Sequence, residues 1–336
     1  MKTFIVRADR PDSEDVRRSF VTEGLEAGFT SFVLRKGDDD LASLGRFDIT
    51  FTEGGAPADG TRIIEINSDR DQEEAVSCAG RADRIILSLR DGQVIPLENV
   101  IAACEGTRTE VLVLVRDRDR ARVALTALEK GADGAVIDVD DPSELRGFRE
   151  LCEPPERAEL TELVVSSVRN VEMGDRVCVD TCSVMVPGEG MLVGSYSDCL
   201  FLVQSESEEN GYVETRPFRV NAGAVYGYTR VPGGRTSYLS ELRTGDTVLI
   251  CRRDGSTRPA SVGRCKNEVR PLTLVEAVHG GRAYSVILQN AETVRLVTSD
   301  GSVSVSELKK GDRVLAELST GGRHFGMPVD ETVTER

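Results

Sequence analysis

Short apolar runs recur along the first half of the chain, and most are separated by stretches of helical periodicity. Thr3–Arg7 (TFIVR), residues 31–34 (SFVL), 48–51, Arg62–Ile66, Arg84–Leu89, Glu110–Val115 and 135–139 each have the length of one strand. They do not alternate strictly between apolar and polar residues, the pattern of strands covered on both faces. Pro11 and Asp12 open a helix that carries Val16, Phe20, Val21 and Leu25 on one face, and Gly28 stops it. Further helical stretches run over residues 69–80, 117–131 and 142–152. Residues 110–138 form the clearest β-α-β unit, with Gly131 as the helix stop. Such alternation predicts a parallel sheet with helices against it, open or barrel-like. No strand in this half is followed by GxGxxG, so the standard dinucleotide fingerprint is missing.

Pro154 and Pro155 mark the expected boundary between an α/β scaffold domain, 1–153, and a β-rich domain, 156–336, carrying most of the active site. Beyond the prolines helical periodicity fades, glycine becomes frequent and short β-like runs dominate: 163–168, 175–179, 191–193, 200–203, 247–250, 262–264, 273–278, 284–288, 294–297 and Arg313–Leu318. Residues 240–249 (SELRTGDTVL) are echoed by 306–315 (SELKKGDRVL) and, more weakly, by 173–179 (MGDRVCV). The pattern reads as a Gly-Asp turn feeding a strand, with Asp246 and Asp312 bracing their turns.

The net charge of −15 and the lack of a dense Lys/Arg cluster argue against a nucleic-acid partner. No apolar run reaches the roughly 20 residues of a membrane span. The opening segment reads as a strand rather than a signal peptide, so a cytoplasmic protein without a membrane partner is expected. Eight cysteines lie scattered with no CxxC pair, the pattern of reduced, buried thiols rather than of a disulfide framework or zinc site. Among 42 basic residues only six are lysines, and Lys266 is the sole lysine between residues 131 and 308. Arginine stays charged under all ordinary conditions, whereas lysine can exchange a proton, which draws attention to Lys266.

Four segments of the second half combine glycine with charged and amide residues. Residues 174–195 hold Asp175, Asp180, Glu189 and the glycines Gly188, Gly190 and Gly194, followed by Ser195. Their spacing is close to a phosphate loop without matching one, and a tight β-turn would serve equally. Residues 201–206 (FLVQSE) end an apolar run in Gln204, Ser205 and Glu206. Residues 216–227 place Arg216 and Arg219 beside Asn221, a grouping suited to an anionic small molecule or to surface ion pairs. Residues 262–271 (VGRCKNEVRP) set Lys266, Glu268 and Arg270 on one face if the segment is a strand. A lysine beside a carboxylate suits acid–base work.

The segments GDRVCVDTCS, PGEGMLVGS, LFLV-x-SE, RPFRVNAGAV, YLSELRTGD, RPLTLVEA, LQNAETVRLV, GGRHFGM and IPLEN together resemble the 3-dehydroquinate synthase II family, over the whole chain and most densely from Gly174 onward. The resemblance implies a cytoplasmic enzyme of the shikimate route. It would oxidatively deaminate 2-amino-3,7-dideoxy-D-threo-hept-6-ulosonate with NAD and close the keto product to 3-dehydroquinate. Under that reading Lys266, Glu268 and Glu206 do the catalytic proton work. Arg216, Arg219, Asn221 and Asn290 hold the anionic amino-sugar acid, and Gly188, Gly190, Gly194 and Ser195 face NAD. In the family pattern a histidine stands where this chain has Gln204 and another where it has Tyr226, and the Lys-Ile-Glu run appears as Lys266-Asn267-Glu268. Only His279 and His324 remain in the chain, and His324 alone lies in a family motif. A relative of the family that makes 3-amino-4-hydroxybenzoate from an amino-heptulose phosphate offers a second reading. In that case Asp175, Asp180 and Glu189 would ligate a divalent metal, Mn or Mg. A non-catalytic, ligand-binding paralogue is a third. The sequence leaves a homo-oligomer open.

Overall fold

The computed structural model describes residues 2–53, 56–57, 61–90, 93–152, 156–209, 211, 213–319, 322–324 and 327–329. The chain divides into two compact units, Met1–Pro154 and Pro155–Arg336. In the first unit the order is β1 (Thr3–Arg7), α1 (Glu14–Glu26), β2 (Ser31–Arg35), β3 (Asp48–Glu53), β4 (Ala56–Pro57), β5 (Arg62–Ile66), α2 (Asp69–Ser77), β6 (Arg84–Leu89), α3 (Ile95–Cys104), β7 (Glu110–Val115), α4 (Arg118–Thr126), β8 (Gly134–Ile137) and a last turn, α5 (Arg149–Cys152). The sheet order is β4-β3-β2-β1-β8-β7-β6-β5, parallel throughout except for the short β4. Both faces are apolar. Val6, Phe32, Leu34, Ile85, Leu87 and Val113 pack with the helices, and Ile5, Val33, Ile86, Leu112 and Val136 form a separate cluster on the other face. Two-sided burial is why these strands do not alternate. It gives the half-barrel form of the parallel sheet that the run pattern predicts.

Local differences from the sequence reading have local causes. Val16 is 41% exposed, so the buried stripe of α1 runs through Arg17, Phe20, Val21 and Gly24. Arg17 is buried because Asp38 takes its Nε and Nη2 at 2.9 and 2.7 Å. Helix α4 ends at Thr126, short of Gly131, because Leu128 and Glu129 adopt positive φ. Gly131 then closes the turn at φ +66, where a Cβ would sit 1.9 Å from the Leu125 carbonyl oxygen. Residues 142–152 form a 3-10 turn, Pro142–Phe148, before α5. Helix α3, which begins with the IPLEN motif, was not read as a helix: its apolar content hides the amphipathic period, although Pro at its first turn is a start signal.

The second unit is β-rich and antiparallel: β9 (Leu160–Thr181), β10 (Glu189–Tyr196), β11 (Cys199–Glu206), β12 (Arg216–Ala224), β13 (Tyr228–Val231), β14 (Arg235–Tyr238), β15 (Thr247–Arg252), β16 (Thr257–His279), β17 (Arg282–Gln289), β18 (Arg295–Val297), β19 (Ser302–Ser304) and β20 (Arg313–Leu318). The pairings β10–β15–β16–β9–β12–β11 return to β10, so this part of the sheet closes on itself. The runs at 163–168 and 175–179 belong to one strand, β9, and those at 262–264 and 273–278 to another, β16. The two pair from Val262↔Thr181 to Val278↔Val164. Gly174 and Pro271, which look like breaks in the sequence, lie in the ladder beside a register shift. Gly174 makes room for Leu272, whose Cδ1 would be 2.7 Å from a Cβ there. The weak third copy of the Gly-Asp repeat is therefore mid-strand. The other two are turns, with Gly245 and Gly311 at φ +93 and +98 and Asp246 and Asp312 accepting from the backbone N–H of Arg243 and Lys309 at 2.6 and 2.7 Å.

Gly190 and Gly194 lie within β10, where a Cβ on either would stand 1.9 Å from a carbonyl oxygen of β11, Val203 or Cys199. Close approach between strands explains both. Gly190→Ala should lower unfolding stability by about 1–3 kcal/mol or more, read as a fall in the thermal midpoint of the purified protein; an unchanged midpoint would show that the strands can part at no cost.

Candidate active site

The site follows from the period-two alternation of β9 and β16. Along β9, Arg176, Cys178 and Asp180 point to one face, while Val177 and Val179 enter the core of the second unit. Register places Asp180 opposite Arg219 of β12 and Arg264 of β16, Cys178 opposite Asn221 and Lys266, and Arg176 opposite Glu268. Polar side chains thus lie in three ranks, across three neighbouring strands at Asp180 and Cys178 and across two at Arg176, whose β12 partner is Ala224. A cleft of about 340 Å³ opens over them, lined by Arg176, Cys178, Arg219, Asn221, Lys266, Glu268 and Arg270, with Glu206 and Arg216 from β11 and β12. Val213, Gln289, Ala291, Glu292 and Thr293 complete the lining.

In the first rank Asp180 is buried and clamped from both sides. Arg219 donates Nε and Nη2 to its two oxygens at 2.6 and 2.9 Å, and Arg264 donates Nε at 2.9 Å together with Nη2. Burial pushes the Asp180 carboxyl up, but the two guanidinium partners more than offset this and hold it below the usual range. The Nε–Nη2 edge of Arg219 is therefore filled by Asp180. In the second rank Cys178 accepts a bond from Arg176 Nη1 at 2.6 Å, yet burial pushes its thiol up to about 11. In the third, Glu268 meets three cations: Lys266 Nζ at 2.9 Å, Arg270 Nη2 at 2.8 Å and Arg176 Nη2 at 3.1 Å. The Lys266 bond, with Arg270 and Arg176 alongside, holds its carboxyl below the ordinary value, which makes it a poor proton acceptor. Glu206 is buried, bonded to Arg216 Nη1 at 3.2 Å and to the Thr293 hydroxyl at 3.5 Å.

The structure gathers Lys266, Glu268, Glu206, Arg216, Arg219 and Asn221 as the sequence suggested, and Lys266, Glu268 and Arg270 do share a face. Four expectations need correction. Asn290 lies off the cleft between Gln289 and Ala291, which line it, and its amide donates to Asn170 at 3.2 Å. Gly188 turns at φ +87 with its N–H on Gln204 Oε1 at 2.8 Å, Gly190 and Gly194 belong to the β10 ladder, and Ser195 bonds the Tyr226 hydroxyl at 2.8 Å. These four residues do not form a phosphate cradle and do not fit a dinucleotide. Asp175, Asp180 and Glu189 are not brought together as metal ligands: Asp175 is exposed, Asp180 is clamped by arginines, and Glu189 pairs with Arg258 at 3.1 Å. Among the described residues no three His, Cys, Asp or Glu side chains gather to hold a metal. Glu268, expected to share the proton work, is committed to its cations.

Arg176, Cys178 and Gln289 were missed. The alternation in Arg176-Val177-Cys178-Val179-Asp180 was the available signal, and it selects even positions where Asp175 is odd. Gln204, 1% exposed, is tied to Gly188, Glu208 and Ser302, and neither it nor Tyr226 lines the cleft. The two positions at which the resemblance implies histidine thus lie off the cleft lining. His279 is exposed, with Nδ1 3.2 Å from the Glu162 carbonyl, and the side chain of His324 is outside the described residues.

A half-barrel α/β unit and an antiparallel unit bearing a charged, substrate-sized cleft have the form of an enzyme. No helix among the described residues is long and apolar enough to cross a membrane. The family models for the N-terminal and C-terminal domains of 3-dehydroquinate synthase II match residues 1–152 and 162–336, and the chain belongs to that family. It is 43% identical to a 3-dehydroquinate synthase of Methanocorpusculum labreanum over 99% of this chain and 98% of the relative. It is 44% identical to one of Methanocella arvoryzae over the full length of both. A 3-dehydroquinate synthase homolog of Persephonella marina is 42% identical, again over the full length of both.

Two outcomes follow from the ranks. Asp180→Asn should cost about 3 kcal/mol, since it leaves Arg219 and Arg264 facing an uncharged partner. The Asp180 carboxyl lies lower in the folded chain than in the unfolded one, so its contribution is complete above about pH 4. It is lost as pH falls through the folded value, and the gap between the two proteins' thermal midpoints should close on the acid side. With its thiol neutral at pH 8, Cys178 should resist iodoacetamide while exposed Cys182 reacts, as read by peptide mass mapping.

Proposed function

We propose that this chain is a 3-dehydroquinate synthase of the deaminating type. The observation that carries the reading is full-length similarity to relatives named 3-dehydroquinate synthase, joined to a cleft whose only amine among the lining residues is Lys266. The substrate is the amino-heptulosonate named above. C2 would give up a hydride, its nitrogen would leave as ammonium with water supplying the carbonyl oxygen, and C7, losing one proton, would add to the C2 carbonyl, whose oxygen takes up a proton, to close a six-membered ring. NAD, when bound, would supply the hydride-accepting chemistry; Gly188, Gly190, Gly194 and Ser195 do not form a cradle for it.

The chain's own work is to hold the substrate and move protons. As an ammonium, Lys266 donates to the nitrogen leaving C2. Glu206 and Asn221 receive the hydroxyls of the sugar portion, and the surplus of cations over carboxylates in the cleft favours the acid group. Lys266→Met should lower turnover by about 10³-fold with an unchanged unfolding midpoint; near-normal turnover refutes the role.

Two incubations separate the competing readings. The purified protein is mixed with the amino-heptulosonate and NAD, or with an amino-heptulose phosphate and Mn²⁺. NADH and ammonia in the first support the deaminating synthase. An aromatic product without NADH in the second would support the metal-dependent cyclisation, and silence in both would leave a binding-only paralogue.

A further inference from the structure

The cations of the cleft are not equally available to a ligand. Arg219 gives its Nε–Nη2 edge to Asp180. Arg176, with a side chain 6% exposed, gives one Nη to Cys178 and the other to Glu268. Arg216 is matched one to one by Glu206. Beside that pair stand four more glutamates, Glu208, Glu209, Glu214 and Glu292, against a single Arg295. A carboxylate approaching Arg216 meets an acidic wall.

Around Glu268 the balance is reversed. One carboxylate is shared by three cations, which leaves two positive charges uncompensated. Lys266 Nζ and Arg270 Nη2 reach the same oxygen, Oε1, so their heads stand side by side. The Arg270 side chain is 41% exposed, and its bonds to Glu268 and to the Val269 carbonyl use two of its five N–H donors.

We propose that Arg270 anchors the substrate's carboxylate, held in place by Glu268, and that the cleft takes a hydroxylated α-amino acid with its acid group at Arg270 and its amine beside Lys266. The inference rests on the function proposed above and names the orientation of that substrate. In an α-amino acid a single carbon joins the carboxylate to the amine, which suits two cation heads gathered on one oxygen. The hydroxylated remainder runs toward Asn221, which is 3% exposed, lines the cleft and is oriented by its amide bond to Gln289 at 2.9 Å. Its Oδ1 is buried and has no hydrogen-bond partner among the described residues, an acceptor left for a ligand hydroxyl.

The test compares the amino-heptulosonate with its methyl ester in the wild type, Arg270→Gln, Arg216→Gln and Glu268→Gln. The wild type should prefer the acid by about 100-fold in kcat/KM, the size of a lost charge-assisted bond. R270Q should lose most of that preference, chiefly through KM, R216Q should keep it, and E268Q should fall between. A wild-type acid-to-ester ratio in R270Q, or its loss in R216Q, overturns the anchor; a wild-type ratio in E268Q overturns the positioning role. If the wild type makes no dehydroquinate, the functional reading fails by itself, and the subsite is judged by quinate, a hydroxylated monocarboxylate. Quinate should raise the thermal midpoint of the wild type and R216Q but not of R270Q. Equal stabilisation of R270Q, or none of the wild type, overturns the subsite.

Discussion

The pairing of β9 with β16 makes the core and the cleft of the second unit at the same time. Each strand turns successive side chains to opposite faces. Val177, Val179 and Val262 enter the core, while Arg176, Cys178, Lys266 and Glu268 face outward into the cleft. The ladder satisfies the backbone and leaves the polar face to settle its own charges. It does so rank by rank: two arginines on Asp180, three cations on Glu268.

The arginine-rich composition has a physical use here. A guanidinium binds a carboxylate along a whole edge, as Arg219 does with Asp180, so it fixes a side chain as well as a charge. Lys266 is a point charge on a flexible stem and makes one contact, to Glu268. The cations lining the cleft are thus four guanidiniums that stay charged and one amine able to exchange a proton. Its two ends differ in sign: cations outnumber acid around Glu268, and carboxylates outnumber cations around Glu206.

Much of the first unit was legible because every strand but the two-residue β4 carries its own apolar run, and β1, β5, β6 and β7 begin and end where those runs do. The second unit was harder. Gly174 and Pro271 interrupt the residue pattern without interrupting the strands, since neighbouring side chains and a register shift absorb them. The glycines of β10 resembled a phosphate loop because the spacing that lets backbone approach a phosphate also lets it approach another strand. Lys266, Glu268 and Arg270 were legible by alternation alone. The commitment of Arg219 to Asp180 was not, because the partners lie 39 residues apart and only register brings them together. Asn290 was misplaced by one position, which in an extended segment reverses the direction of a side chain.

That one-position sensitivity bears on how such a chain can change over time. Between Arg176 and Asp180, where Val177 and Val179 are buried, and between Thr273 and Ala277, where Thr273, Val275 and Ala277 are buried, an added or deleted residue would turn core side chains to solvent and outward ones to the core. Drift in these stretches is confined to exchanges of one residue for another at constant length. The turns at Gly245–Asp246 and Gly311–Asp312, braced by their own aspartates, carry no such reading frame. Differences in length between members of the family should collect at turns of that kind and spare the two long strands.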